Sequence, residues 1–266
     1  MTDTHIDTTV AHTARVWNYW LGGKDNYPVD REVGDRVKEL FPLVAEVAQG
    51  DRLFLRRVVS HLVREEDVTQ FLDIGTGLPT ANNTHEVAQA LDPETRVVYV
   101  DNDPLVLTHA RALLVGTDTG KTQFVDADLR DVEKVIEAAR ETLDFDKPIG
   151  LTLMGTMGHF EFEEALRLVR AYADRLAPGS FFAVCDGVMA HMEVEDAERA
   201  AEGMRIWEEQ VAQTYYMRSV EEFAQFFDGF ELVEPGAVSV FRWRPEPADV
   251  GTVRDVPQYA GLAKKV

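Results

Sequence analysis

Between residues 70 and 186 the chain repeats one rhythm: a short run of apolar and β-branched residues, a turn, then a helical pattern. The runs are QFLDI, RVVYV, TQFV, IGLTLM and SFFAVCD, and the helical stretches between them include PLVLTHARALL, DVEKVIEAARETL and EEALRLVRAYADRL. Runs that stay apolar on both side-chain faces belong to strands covered on both sides. Alternation with helices therefore predicts a parallel sheet with helices on its two faces. Each crossover should be right-handed.

The flanks do not keep this rhythm. Residues 1–12 read as disordered, and three helical stretches precede the sheet: one from Thr13 carrying Val16, Trp17, Trp20 and Leu21, one from about Asp30 to Leu40, and one from about Leu43 to Val63. GGKDNYPVD breaks the first from the second with glycines and a proline. After Asp186 come two further helical stretches, VEDAERAAEGMRIWEEQVAQ and SVEEFAQFF; the acidic run Glu193–Glu198 suits the start of the longer one. FELVEP and VSVFRW read as a terminal antiparallel hairpin around a Pro-Gly turn. The chain thus divides into a helical cap and lead-in (1–64), a ligand-binding α/β unit (65–245) with a helical insertion at about 190–227, and an irregular, Pro-rich tail (246–266).

Apolar residues make up 45% of the 266, enough for a core and too many for a disordered chain. The 47 acidic residues against 27 basic ones give a net charge of −20, which repels a phosphate backbone; the short basic clusters Arg56–Arg57 and Lys264–Lys265 do not form an opposing face, so nucleic acid is not expected as a partner. A single cysteine, Cys185, allows no intrachain disulfide and no Cys-based zinc site, and His-Glu-x-x-His spacing is absent, so no metal is expected. The polar start lacks the basic and apolar regions of a signal peptide, and no apolar run approaches the ~20 residues of a membrane helix. The expectation is a cytoplasmic protein, monomer or homodimer.

The first run ends in FLDIGTGLPT. The strand that opens such a sheet carries the nucleotide-binding turn. A dinucleotide loop would read G-x-G-x-x-G, with backbone N–H groups on a pyrophosphate. Here Thr80 stands where the third glycine belongs, Pro79 lacks an N–H, and no Gly-Lys-Ser/Thr follows to make a Walker loop. Asp73, just before Gly75-Thr76-Gly77, is the sharper feature. An acid facing that pocket repels phosphate and attracts a cation. S-adenosylmethionine carries a sulfonium and an ammonium and no phosphate, and D-x-G-x-G suits it. The alternative is that Asp73 only caps the turn.

The next strands bear on that choice. VVYVDNDP places Asp101 beside the ribose of an adenosine ligand and Asn102 against the adenine edge; Asp103 before Pro104 reads as a helix cap. FVDADLRD places Asp128 and the N–H of Leu129 to read the adenine amino group, with Asp126 as rival and Asp131 as the next helix cap. Acids after three consecutive strands form a stronger pattern than any one of them. The fourth strand opens into LMGTMGHF, where Met154, Gly155 and His159 would border the sulfonium and a methyl acceptor.

With these residues the chain resembles class I S-adenosylmethionine-dependent methyltransferases. More narrowly it resembles a bacterial family, frequent in actinomycetes, first described as a domain of unknown function and now called S-adenosyl methyltransferase. The resemblance rests on ARVWNYWLGGKDNYPVDRE (14–32), FLDIGTGLPTANNTHEVAQ (71–89), VVYVDNDP (97–104) and VEPGAVSVFRWRP (233–245). It implies an α/β, Rossmann-like fold with a seven-stranded, mostly parallel sheet of order 3-2-1-4-5-7-6, strand 7 antiparallel. It also implies donor binding at Asp73 to Gly77, Asp101–Asn102 and Asp128–Leu129. Leu78-Pro79 departs from the commonest loop, which leaves its path open. The resemblance supplies no acceptor.

The WNYWLGGKDN segment must fold over something. In one reading it caps the site, with Tyr19, Gly22, Lys24, Asn26 and Tyr27 facing donor or substrate; in the other, Trp17 and Trp20 are core. His85 faces the donor or satisfies a loop, and His159 is either a general base or a helix start; His12 carries no pattern. The expected reaction is in-line attack on the donor methyl by an oxygen or nitrogen of a small molecule, leaving S-adenosylhomocysteine. The rivals are a regulatory protein that binds the donor without catalysis and an NAD(P)-dependent oxidoreductase, against which Asp73, Pro79 and Thr80 count.

Overall fold

The computed structural model describes residues 7–80, 82–113, 116–211 and 213–266. Of the segment expected to be disordered, residues 1–6 lie outside the described residues, and His12 is placed against Asp103. The apolar runs become β1 (Gln70–Ile74), β2 (Arg96–Asp101), β3 (Lys121–Asp126), β4 (Gly150–Met154) and β5 (Phe181–Gly187), mutually parallel in the order β3-β2-β1-β4-β5. The inner strands β1 and β5 are buried at every position, as an apolar run on both faces requires.

Strand periodicity sends alternate side chains to opposite faces. Leu72, Ile74, Leu151, Leu153, Phe182 and Val184 pack into a core covered by α6 (Val132–Ala139), α7 (Phe162–Arg175) and α9 (Val220–Gln225). Phe71, Val97, Tyr99, Phe181, Ala183 and Cys185 face the other way, onto Phe54, Leu55, Val58 and Leu62 of the long helix α3 (Val44–Glu65). Asp73 shares the parity of Phe71, so it too lies on the α3 face. α4 (Thr84–Leu91) and α5 (Pro104–Leu113) follow β1 and β2, and Asp131 caps α6 by accepting from Lys134 N.

A third apolar cluster stands outside the sheet. Val16 and Trp20 of α1 (Thr13–Trp20), Val33 and Val37 of α2 (Pro28–Leu40), and Ala200 and Trp207 of α8 (Val194–Val211) form it, with Trp20 stacked on Trp207 at 5.4 Å between centroids. The N-terminal helices and the insertion after β5 therefore bury each other.

The C-terminal end corrects the expectation. β6 (Glu231–Leu232) and β7 (Val238–Ser239) do not pair as a hairpin; each is antiparallel to β8 (Gln258–Lys264), which is itself antiparallel to β5. The tail expected to be irregular thus supplies the antiparallel strand of the 3-2-1-4-5-7-6 order. YAGLA is short and small, yet Ala260, Leu262 and Ala263 are buried, and burial between β5 and β6 outweighs its weak intrinsic strand signal.

Candidate active site

A cavity of about 730 Å³ opens at the carboxyl ends of β1 to β4, the end of an open α/β sheet at which ligands bind. Asp73, Gly75, Thr76, Gly77, Asp101, Asn102, Asp128, Leu129, Met154, Gly155 and His159 all line it. Residues spread over 87 positions of sequence meet here because the strands that end beside one another carry them.

The loop after β1 sets the first wall. Asp73 is buried, and its Oδ2 accepts from Thr84 Oγ1 at 2.6 Å. Burial raises its carboxyl above the usual range, opposed by the Thr84 bond and the Arg52 charge. Gly77 sits at φ +64, and a Cβ built on it would meet nothing within 4 Å. The bare backbone there borders open space that a ligand can fill. Asp101 Oδ2 accepts from Gly77 N at 3.0 Å and Oδ1 from Asp103 N at 3.0 Å, so the carboxylate is clamped by backbone amides.

Asp103 caps α5 through a 2.8 Å bond from Leu105 N. It also pairs with His12 Nε2 at 2.9 Å and lines the cavity. Burial would raise its carboxyl, but the His12 contact and the amides of Leu105 and Val106 together hold it low. After β3, Asp128 lines the cavity and its rival Asp126 does not; Asp128 Oδ1 accepts from Arg130 N at 2.8 Å. After β4, Gly155 takes φ +64, and its N–H donates to Cys185 O at 2.7 Å. His159 is half-buried with Nδ1 3.1 Å from Thr214 O; a carbonyl only accepts, so Nδ1 carries the proton and Nε2 the lone pair. Burial lowers its pKa and favours the neutral ring. His85 lies outside the lining, with its N and Nδ1 both 2.8 Å from Tyr99 Oη.

The cap segment corrects the expectation. Tyr19, Gly22, Lys24, Asn26 and Tyr27 are absent from the described lining, whereas Ala14, Trp17, Asn18 and Leu21 are present. The reason is helical phase: 14, 17, 18 and 21 share one face of α1 and its C-cap turn. Tyr19 instead donates to Asp35 Oδ1 at 2.7 Å, Asn26 Nδ2 donates to Asn18 Oδ1 at 3.0 Å, and Gly22, Lys24 and Tyr27 are exposed. Trp17 thus belongs to both readings, bordering the cavity and meeting Trp20 edge-on at 5.4 Å. Trp20 is core.

Sequence reasoning also missed Asp51 and Arg52 on α3, and Thr214 and Tyr216 in the segment after α8, all of which line the cavity. Asp51 falls on the apolar stripe of α3, at the spacing of Val44, Val47, Ala48, Phe54, Leu55 and Val58. A carboxylate in such a stripe was the signal that could have found it. Arg52 donates from Nη2 to Asn82 O at 3.1 Å. The described lining holds the carboxylates of Asp51, Asp73, Asp101, Asp103 and Asp128 against the guanidiniums of Arg52 and Arg130, a field that favours a cationic ligand.

A sheet of this order, with its cavity past D-x-G-x-G and acids after the next two strands, defines a class I S-adenosylmethionine-dependent methyltransferase. A family model described as S-adenosyl methyltransferase matches residues 1–266, and the chain belongs to that family. Its donor is S-adenosylmethionine. A DUF574 family protein from Streptomyces avermitilis MA-4680 is 39% identical, with TM-score 0.90 over 98% of this chain and 100% of that one. A protein from Thermobifida fusca YX is 39% identical, with TM-score 0.87 over 97% and 96%. The fold alone is shared with magnesium protoporphyrin IX methyltransferase from Synechocystis PCC 6803 with bound SAM, at 13% identity and TM-score 0.52 over 94% and 90%. A search of curated proteins gives no match. Among the described residues, no helix is long and apolar enough to cross a membrane.

Proposed function

We propose that this site moves the donor methyl to an oxygen or nitrogen atom of a small-molecule acceptor by in-line displacement, in the cytoplasm. The observation that carries this reading is the continuity of one cavity from the loop after β1, past Gly155, to a second polar wall of Asp51, His159, Thr214 and Tyr216. The first part fits the donor: open space over Gly77, clamped Asp101 for the ribose hydroxyls, Asn102 at the adenine edge, and Asp128 with Leu129 N for the adenine amino group. Asp73 would meet the donor ammonium and Arg52 its carboxylate. Met154 and Gly155 would flank the sulfonium, leaving the second wall for the acceptor.

The bound donor supplies an activated methyl group on a good leaving sulfur. What the chain contributes is alignment and exclusion of water, which can lower a barrier by roughly 7–11 kcal/mol. Trp17, Asn18 and Leu21 cover the cavity from α1. The contact of Thr13 Oγ1 with Gln213 Oε1 at 2.5 Å ties that helix to the segment after α8. An oxygen acceptor must also lose its proton, and His159 and Asp51 are the two groups on the second wall able to take it.

Thermal unfolding with S-adenosylmethionine, S-adenosylhomocysteine and NAD tests the donor side. A ligand at about 100 times its Kd adds roughly 2.7 kcal/mol. Both sulfur nucleosides should raise Tm by several degrees and NAD should not. Transfer of a radiolabelled methyl to a panel of phenols and primary amines tests the acceptor side. A Tm response to NAD alone, or label transferred only to macromolecules, would overturn the reading.

A further inference from the structure

Asp51 lies at the junction of three elements that the sequence separates widely. It projects from α3 onto the sheet face that carries Cys185 on β5 and Gln258 on β8. Cys185 Sγ donates to Asp51 Oδ1 at 2.9 Å, and Gln258 Nε2 donates to the same oxygen at 2.8 Å. Oδ2 accepts from no described donor and is turned toward Gly155: a Cβ built on that glycine would stand 3.6 Å from it. Two donors fix the ring of contacts on one oxygen, so the other is aimed rather than free to rotate. The place it is aimed at is the space beyond the end of β4 where the donor's methyl group belongs in the reading above.

We infer that Asp51 is the proton-accepting residue of the methyl-transfer site, with Oδ2 as the accepting atom. The inference rests on the methyltransferase reading and deepens it. The acceptor's lone pair forms the new bond to the methyl carbon, the carbon–sulfur bond breaks with its pair on sulfur, and the acceptor's proton passes to Asp51 Oδ2. A carboxylate there also balances the positive charge of the bound donor and loses that partner when the neutral thioether product forms.

The surroundings suit this work. Burial raises the Asp51 carboxyl to about 7, while the Cys185 and Gln258 bonds pull it down. Asp186 on β5 raises it further, and Arg52 on α3 lowers it. Tyr215, from the segment after α8, faces the same cluster with its hydroxyl pushed far up by burial, and the Cys185 thiol is pushed up likewise. Neither competes as a base near neutrality. His159, the rival base, donates from Nδ1 to Thr214 O at 3.1 Å and keeps its lone pair on Nε2, so variants of the two residues must separate them.

Calorimetric titration of the purified protein with S-adenosylmethionine and with S-adenosylhomocysteine, each in two buffers of different ionisation enthalpy, counts the protons exchanged on binding. At pH 7 the sulfonium should expel part of a proton from Asp51 and the neutral thioether should not. The affinity ratio of the two nucleosides should rise about tenfold between pH 5.5 and 8, one pKa unit of linkage. In Asp51→Asn the ratio should be flat and no proton released, while S-adenosylhomocysteine still binds as to the parent, which shows that the variant is folded. With any phenol accepted by the parent, Asp51→Asn should lose roughly 100-fold or more in kcat. If Asp51→Asn releases the same proton and His159→Asn does not, His159 is the acceptor and the inference fails. If neither nucleoside binds the parent, the methyltransferase reading itself falls.

Discussion

Arg15 Nε and Asp30 Oδ2 lie 2.8 Å apart, with side-chain exposures of 3% and 0%. The pair joins α1 to α2 beneath the segment that roofs the cavity. Asp30 Oδ1 also accepts from His12 N at 3.0 Å, and Oδ2 from Tyr27 N at 2.8 Å. One carboxylate therefore sets the start of α1, the start of α2 and the guanidinium between them. Breaking a buried pair from one side leaves an uncompensated charge and costs about 3–5 kcal/mol. Asp30→Ala should lower the urea midpoint accordingly. It should also weaken S-adenosylhomocysteine binding, because the α1 face of Ala14, Trp17, Asn18 and Leu21 is no longer held. Hydrogen exchange checks the cause: protection should be lost first in α1 and retained in β1, β4 and β5.

Stability should fall as pH rises between about 5 and 8. Asp51 is raised to about 7 and Asp186 to about 6 in the folded chain, in each case first by burial. Unfolded, both titrate near 4. Between those values the folded state holds protons that the unfolded state has released, so the stability present at low pH is lost as pH climbs through the folded values. From pH 5.5 to 8, Asp51 alone accounts for about 2 kcal/mol at 1.36 kcal/mol per unit. Urea unfolding of Asp51→Asn should show a flatter pH profile than the parent. A profile of unchanged slope would show that Asp51 is ionised throughout.

Gly77 and Gly229 form a matched pair for testing where the ligand sits. Both have positive φ, +64 and +84, and a Cβ on either would meet nothing within 4 Å. Alanine at each should cost about 1 kcal/mol of backbone strain. Gly77 borders the cavity and Gly229 does not, so only Gly77→Ala should weaken donor binding, by about tenfold if its methyl displaces one good contact (~1.4 kcal/mol). Equal losses in the two variants would place the donor elsewhere.

How far the chain could be read without coordinates follows from the range of each signal. Asp73, Asp101 and Asp128 were legible because each follows its own strand, and a parallel sheet brings successive strand ends to one edge. Asp51 and Arg52 were not, because their role depends on α3 packing over β1 and β4, and a charge within a helix reads as surface unless its place in the apolar stripe is weighed. Tyr19 lies off the α1 face of Ala14, Trp17 and Asn18, a phase the sequence reading did not weigh, and Asn26 turns back onto Asn18 and Gly23 in the loop that follows. β8 was hidden because its partners, β5 and β6, decide that YAGLA is a strand. His12 had no local pattern at all; only the fold brings it to Asp103.

The carboxylates after β2 and β3 give the sharpest test of the donor geometry. Asp101 is held by Gly77 N and Asp103 N with both oxygens near 3.0 Å, so its remaining lone pairs can meet the ribose hydroxyls without reorganising. Hydrogen bonds to a charged group contribute about 1.5–3 kcal/mol each. Asp101→Ala should therefore raise the Kd for S-adenosylhomocysteine by roughly 10–150-fold. Part of that loss would come through the freed Gly77 amide rather than the ribose. Asp128 has 42% of its side chain exposed and shares its charge with Arg130 at 3.4 Å, so Asp128→Ala should cost less, about 1 kcal/mol. Asp126 ends β3 outside the lining, and Asp126→Ala should leave binding unchanged. The order Asp101, Asp128, Asp126 is what the cavity dictates. Equal losses at Asp126 and Asp128 would mean that general negative charge, not placement at the strand ends, draws the donor in, and raising the salt from 0.05 to about 0.5 M would then weaken binding to all three variants alike.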